Sequence, residues 1–193
     1  IVNYVDLLQR EHTPEQEKEY LAVLDRQAHK LKKLTVDLVE MSKASTGNIP
    51  CHIARRSVRE LIDQTVGEYA ERLALAQLEP VVTLPDEELY CLCDGALLWR
   101  VFDNLFSNAC KYACAGTRLY IGAKRIGDTV EFTFKNISRD ALNIDPDELM
   151  ERFVRGDSSR TTEGSGLGLN IAKSLVELQK GTFSLAIDGD LFK

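Results

Sequence analysis

With 193 residues and 44% apolar side chains, the chain is long enough for one large domain, or a small domain with an appendage, around a real hydrophobic core. Its 30 acidic and 24 basic residues leave a net charge of −6 spread along the chain, which excludes the clustered Lys and Arg of a nucleic-acid-binding face. No stretch approaches the roughly 20 consecutive apolar residues of a membrane helix, and no secretory signal is present.

The chain opens on Ile1-Val2-Asn3-Tyr4-Val5 without a Met, which reads as a cut made inside a helix. Ile1, Val5 and Leu8 carry that helical spacing to Gln9, and Glu11-His12-Thr13 reads as a turn. A long helix follows over 15–45. It has no Gly and no internal Pro, and Leu21, Leu24, Ala28, Leu31, Leu38 and Met41 recur at helical steps. Thr13-Pro14-Glu15-Gln16 marks its start, with Thr as N-cap, Pro at the first helical position and Gln at the third. Val23, Leu34, Val36 and Val39 widen the stripe beyond what one partner helix covers. Two covers stay open: a second copy of the hairpin, making a four-helix bundle, or the domain that follows in the same chain.

Thr46-Gly47-Asn48 breaks the helix and begins a linker. The pattern then predicts a strand over 50–55, a helix over 57–76, strands over 79–84 and 89–93, and a helix over 96–113. Strands over 118–124 and 129–137 follow, joined by a turn at Ile126-Gly127-Asp128. A short helix over 146–152, a polar stretch over 155–165, a helix over 167–179 and a strand over 182–187 complete the chain. Mixed strands with helices to one side predict an α+β fold, a two-layer α/β sandwich preceded by an α-helical hairpin. The five cysteines lack zinc-ligand spacing: Cys91 and Cys93 alternate in an extended segment, and Cys110 and Cys114 lie one helical turn apart. All read as small structural hydrophobes.

Three clusters carry chemistry. In Asn104-Leu105-Phe106-Ser107-Asn108-Ala109-Cys110-Lys111-Tyr112, Asn104 and Asn108 project from one helix face and Lys111 follows on nearly the same side. Amide oxygens suit Mg²⁺ and the ammonium suits phosphate. In Glu163-Gly164-Ser165-Gly166-Leu167-Gly168-Leu169, alternate glycines open a helix whose first amides form an anion site. It is neither a Walker loop, since no Gly-Lys-Ser/Thr follows, nor a dinucleotide fingerprint, since no strand leads into it. Between them, Phe153-Val154-Arg155-Gly156-Asp157-Ser158-Ser159-Arg160 has few apolar anchors, and residues 155–165 read as a mobile lid whose Arg155 and Arg160 close over phosphates. Singly, each cluster also fits an ordinary solvated face or surface loop.

In this order the clusters resemble the catalytic domain of bacterial sensor histidine kinases, within the wider ATPase family of gyrase and the heat-shock chaperones. Asn104-x-x-x-Asn108-x-x-Lys111-Tyr112 is similar to the family's N box, Phe153-Val154-Arg155 to its F box, and Gly164-x-Gly166-x-Gly168 to its second glycine box. The resemblance implies a partial dimerisation and phosphotransfer hairpin over 1–46 and an ATP-binding catalytic domain over 47–193. It implies ATP and Mg²⁺ as cofactors, with Asn108 and Asn104 on the metal. Lys111 and the amides of Gly166, Leu167 and Gly168 would hold phosphates, Tyr112 would pack near the nucleoside, and Phe153, Arg155, Arg160 and Gly164 would complete the site. It further implies a homodimer through the hairpin, a cognate response regulator as partner, and a cytoplasmic domain of a protein held in the bacterial membrane by upstream segments.

Two departures stand out. The family's first glycine box should follow the strand ending at Ile137, but Lys135-Asn136-Ile137-Ser138-Arg139-Asp140 contains no glycine, and Asn136 stands where the adenine-reading Asp is expected. Its amide oxygen accepts from the adenine amino group without the charge assistance of a carboxylate. The H box is also absent: none of His12, His29 and His52 has an acidic next neighbour, so the phosphoacceptor is expected upstream. The relatives that hydrolyse ATP carry Glu at the position of Asn104, and an amide is no general base, which favours transfer over hydrolysis. A serine kinase of the anti-sigma type and a non-catalytic dimeric scaffold are the alternative functions.

Overall fold

The N-terminal hairpin consists of α1 (Val2–Leu8) and α2 (Pro14–Ser45), in a computed structural model that describes residues 1–45, 49–142, 145–149 and 166–193. The start of α2 is a reciprocal cap: Thr13 N–H donates to Gln16 Oε1 at 2.9 Å, and Gln16 N–H donates to Thr13 Oγ1 at 3.3 Å. Tyr4 meets Tyr20 edge-on across the hairpin, with ring centroids 5.7 Å apart.

Thereafter β1 (Ala54–Ser57) leads directly into α3 (Val58–Leu75), followed by β2 (Glu79–Thr83), β3 (Tyr90–Cys93) and α4 (Gly95–Tyr112). β4 (Arg118–Ile126), β5 (Thr129–Ile137), α5 (Pro146–Leu149), α6 (Gly168–Leu178), β6 (Ile187–Asp188) and β7 (Leu191–Phe192) complete the described elements. The main sheet has five strands in the order β2-β4-β5-β7-β6, with only β2 and β4 parallel, while β1 and β3 form a separate antiparallel pair. Helices over this mixed sheet make the expected two-layer sandwich.

The core lies between the sheet and the helices. Alternation along β4 turns Leu119, Ile121 and Ala123 inward, and Phe132 and Phe134 stand opposite on β5. On α4, Leu97, Leu98, Val101, Phe102, Phe106 and Ala109 form one buried face. Phe102 lies 5.3 Å from both Phe132 and Phe134, and Phe106 lies 5.8 Å from Phe134 and 5.0 Å from Tyr69 of α3, by ring centroid. This aromatic cluster holds α4 over the middle of the sheet. α2 in turn lies against α6, yet Leu21, Leu31, Val36, Leu38 and Val39 of its stripe stay exposed.

Some expected boundaries need correction. The first strand runs over Ala54–Ser57 rather than 50–55, because the ladder with β3 begins at Ala54↔Cys93. Ahead of it, His52 N–H is taken by the Asp94 carboxylate at 2.8 Å. The strand expected over 182–187 is not formed: residues 181–186 carry no ladder of a named strand. The turn Asp188-Gly189-Asp190-Leu191, with Gly189 at φ 62°, folds the end of the chain back, so that β7 docks on β5 through Asn136↔Phe192 and Ile137↔Leu191. The short helix is described only over Pro146–Leu149, and 150–152 lie outside the described residues.

Asp94 positions the start of α4. Its Oδ1 accepts from Ala96 N–H at 3.0 Å and Leu97 N–H at 3.1 Å, Oδ2 accepts from His52 N–H, and its own N–H donates to Gln179 Oε1 at 2.8 Å. Burial opposes ionisation of this carboxyl, but the amides of His52, Leu97 and Ala96 outweigh it and hold the group below its usual range. We expect Asp94→Ala to lower the unfolding free energy by about 2 kcal/mol at neutral pH. Because the folded value is depressed, the ionised group stabilises the fold above the ordinary carboxyl pKa of about 4 and ceases to do so as pH falls through the folded value. Denaturant titrations of wild type and Asp94→Asn at neutral pH and at about pH 3 should therefore show the gap between them narrowing in acid.

Candidate functional site

α4 presents Asn104, Asn108 and Lys111 on a face turned away from its aromatic core, and all three are half-buried. The Asn104 amide donates through Nδ2 to the Arg100 carbonyl at 2.9 Å, which leaves Oδ1 directed at α6. There it meets Gly168: a Cβ on that residue would stand 3.1 Å from Asn104 Oδ1. The first and second sequence clusters are thus in direct contact, and the absence of a side chain at Gly168 makes room for the approach. Gly166, at φ 72°, occupies the left-handed region just before this helix. Leu167 is fully buried, so its side chain anchors the glycine segment in the core; its carbonyl accepts from Ile171 N–H at 2.8 Å.

The other end of α4 is stitched to β5. Cys114 N–H donates to the Ile137 carbonyl and Arg139 N–H to the Tyr112 carbonyl, both at 2.8 Å, around an isolated bridge between Ala113 and Ser138. This seam places Tyr112 at the border of the strand that carries Asn136. Asn136 is 8% exposed, and its side-chain amide makes no hydrogen bond among the described residues. The Asn108 side chain is likewise without a hydrogen bond among the described residues.

Charges of both signs surround this end of α4. Burial holds the Lys111 ammonium below its ordinary value, and Lys33 of α2 and Arg72 of α3 push the same way against the opposing pull of Asp37 and Asp103. The Arg72 guanidinium stacks 4.3 Å over the Tyr69 ring and reaches Ser107 Oγ at 3.5 Å. Tyr69 donates to Asp103 Oδ1 at 2.5 Å, and burial, then this carboxylate, raise its phenol. A partly buried ammonium is a cation that an anion can pair with.

Phe153, Arg155, Arg160, Gly164 and the lid expected over 155–165 lie outside the described residues. The histidines lie apart from the site: His12 is in the hairpin turn with Nδ1 2.6 Å from the Arg10 carbonyl, exposed His29 lies 3.3 Å from the Asp25 carboxylate, and His52 is exposed. A groove of about 560 Å³ between α3 and α4, lined by Glu60, Gln64, Glu68, Trp99 and Arg100 among others, contains none of the motif residues. Sequence reasoning missed Asp94, Arg72, Asp103, Gln179 and the Lys33–Asp37 face of α2. An Asp immediately before a helix start was a readable N-cap signal. The others act across elements and left no local trace.

Residues 93–189 match the family described as Histidine kinase-, DNA gyrase B-, and HSP90-like ATPase. The chain is 32% identical over 174 residues to the signal transduction histidine-protein kinase BaeS of Escherichia coli (strain K12), covering 89% of this chain and 36% of that protein. It is 24% identical over 196 residues to the sensor histidine kinase YcbM of Bacillus subtilis (strain 168), covering 96% of this chain and 61% of that one. The chain thus spans less than two thirds of either relative. Full-length ShkA in complex with AMPPNP shares its fold with a TM-score of 0.73 at 22% identity, over 95% of this chain and 39% of the other. Histidine kinase ThkA in complex with the response regulator TrrA does so with a TM-score of 0.72 at 17% identity, over 98% and 54%.

The contact between Asn104 and Gly168 can be tested directly. Alanine improves helix propensity over glycine by up to about 1 kcal/mol, whereas its Cβ crowds Asn104 Oδ1. Gly168→Ala should change unfolding free energy by less than about 1 kcal/mol while displacing the Asn104 side-chain amide, seen as a shifted NH₂ resonance pair by NMR.

Proposed function

Because the chain belongs to the histidine kinase-, DNA gyrase B- and HSP90-like ATPase family, we propose that its catalytic region binds ATP with Mg²⁺ and passes the γ-phosphoryl group to a histidine on a dimerisation hairpin, from which a response-regulator aspartate receives it. The observation that carries this reading is the contact between Asn104 and Gly168, which joins an amide-and-lysine helix face to a glycine-led helix start. One supplies oxygen ligands and a cation, the other backbone amides for phosphate.

Asn108 is the stronger metal ligand of the two amides, since Asn104 Nδ2 is tied to the Arg100 carbonyl and its Oδ1 faces Gly168. Mg²⁺, when bound, neutralises phosphate charge and orients the transferred group. Lys111 meets the phosphates together with the amides of the Gly166–Gly168 segment. The amide oxygen of buried Asn136 accepts from the adenine amino group, and Tyr112 packs near the nucleoside. Phe153, Arg155, Arg160 and Gly164 are assigned to ATP binding on their sequence motifs. No group with the basicity of a carboxylate stands at position 104 to activate water, so these residues hold ATP for transfer.

The hairpin over 1–46 is assigned to dimerisation and 47–193 to catalysis. The exposed Leu21, Leu31, Val36, Leu38 and Val39 of α2 support a second copy as their cover, although α2 also touches α6. No described helix is long and apolar enough to cross a membrane. We assign this region to the cytoplasmic side of a larger membrane-attached sensor. A dead scaffold is the alternative, favoured only by the glycine-free segment after β5.

Calorimetry should detect Mg²⁺-dependent ATP binding, and Asn108→Ala should remove most of the metal dependence; unchanged dependence would refute the metal assignment. Incubation with γ-labelled ATP should leave the chain itself unlabelled, because His12, His29 and His52 lack the acidic neighbour of an H box. An added hairpin bearing an H box should acquire label that acid removes. Acid-labile label on the chain, lost on replacing one of the three histidines, would relocate the acceptor. Absence of label on both would favour the scaffold.

A further inference from the structure

Cys91 and Cys93 occupy alternate positions of β3, so both side chains leave the same face of the strand. Their sulfurs are 3.4 Å apart, near enough for one thiol to donate to the other. Cys93 is buried in the core, and Cys91 is half-buried in front of it. Two thiols turned toward each other are more than a pair of small core hydrophobes. Across the ladder, Cys91 pairs in register with Arg56 and Cys93 with Ala54, and the charge of Arg56 acts on the Cys93 thiol. The hydrogen bond shared with Cys93 lowers the Cys91 thiol against the opposing effect of burial, and the same bond, then burial, raises that of Cys93. The roles are unequal by exposure: the half-buried Cys91 sulfur is the one a solute reaches, and the buried Cys93 sulfur stands behind it.

We propose that Cys91 and Cys93 form a redox-active dithiol, a modification site at which a hydroperoxide converts the pair to a disulfide within one strand. The Cys91 thiolate attacks the peroxide oxygen, the O–O bond breaks, and the sulfur becomes a sulfenic acid while an alkoxide or hydroxide leaves and takes up a proton. The Cys93 sulfur then attacks the sulfenic sulfur, its proton goes to the departing hydroxide, and water leaves as the S–S bond forms. Two thiols are oxidised by two electrons, and one peroxide is reduced to water and an alcohol or a second water.

The bond also changes the strand. A disulfide needs about 2.05 Å between sulfurs, and two residues of extended strand span roughly 6.6 Å, at the upper end of the Cα separation a disulfide tolerates. Closing the pair therefore shortens β3, whose next residue is Asp94. Asp94 holds the amides of His52, Ala96 and Leu97 and donates to Gln179, so contraction of β3 loosens the first turn of α4.

The purified full chain is treated with hydrogen peroxide, the remaining thiols are alkylated, and the peptides are mapped by mass spectrometry. The expected result is loss of two of the five thiols as a Cys91–Cys93 disulfide, restored by dithiothreitol, with Cys51, Cys110 and Cys114 still alkylated. Cys93→Ala should trap Cys91 as a dimedone-reactive sulfenic acid, and Cys91→Ala should leave Cys93 reduced. Hydrogen exchange at Ala96 and Leu97 should quicken in the oxidised wild type. Oxidation of another cysteine ahead of this pair, or of Cys91 to sulfinic or sulfonic acid without a disulfide, overturns the proposal. The wild-type map decides this even if either variant fails to fold.

Discussion

At Asp94, one carboxylate collects the amide hydrogens of His52, Ala96 and Leu97, while the residue's own amide is held by Gln179 at the end of α6. Four backbone or side-chain groups from separate parts of the chain converge there. The helix that begins at this point carries Asn104, Asn108 and Lys111, and its place relative to α6 determines whether Asn104 can reach Gly168. A cap that served only its own helix would stop the α4 backbone from fraying. This one also fixes two neighbours, because ionised oxygen accepts several hydrogen bonds at once and each is stronger for the charge.

α4 has two jobs on opposite faces. Its apolar face is pinned by Phe102 and Phe106 against Phe132 and Phe134, and large aromatic side chains in close contact leave little freedom to rotate the helix about its axis. With that rotation removed, the polar face has no choice of direction, and the glycine segment meets it at contact distance. Burial of Leu167 and Ile171 anchors α6 in the same core, so a rigid apolar layer supports both halves of the candidate site.

The electrostatics extend the site beyond the catalytic region. Lys111 is influenced by Lys33 and Asp37, which belong to the hairpin helix, as well as by Arg72 and Asp103. Partial burial weakens screening, so charges on α2 are felt at the end of α4. The hairpin therefore contributes to the potential at the proposed phosphate site in this arrangement, and a different packing of α2 would change that potential without altering any motif residue.

Most of the fold was readable because local signals agreed with the tertiary outcome. The Thr13–Gln16 cap, helices α3 and α4, and the β4–β5 hairpin about Gly127 follow from spacing and turn chemistry within a few residues. The readings failed where partners decide. Residues 50–53 look extended but give an amide to Asp94, and the last strand yields to a turn at Gly189 that sends β7 to β5. Of the site, the sequence alone determined the residue types, their order and the helix face that Asn104, Asn108 and Lys111 share, since these are properties of a single periodic segment. Only the tertiary structure decided that Asn104 touches Gly168, that Asn136 is buried, and that charged groups of α2 and α3 act on Lys111. Contacts between distant segments depend on how the core orients each element, and no local pattern encodes that orientation.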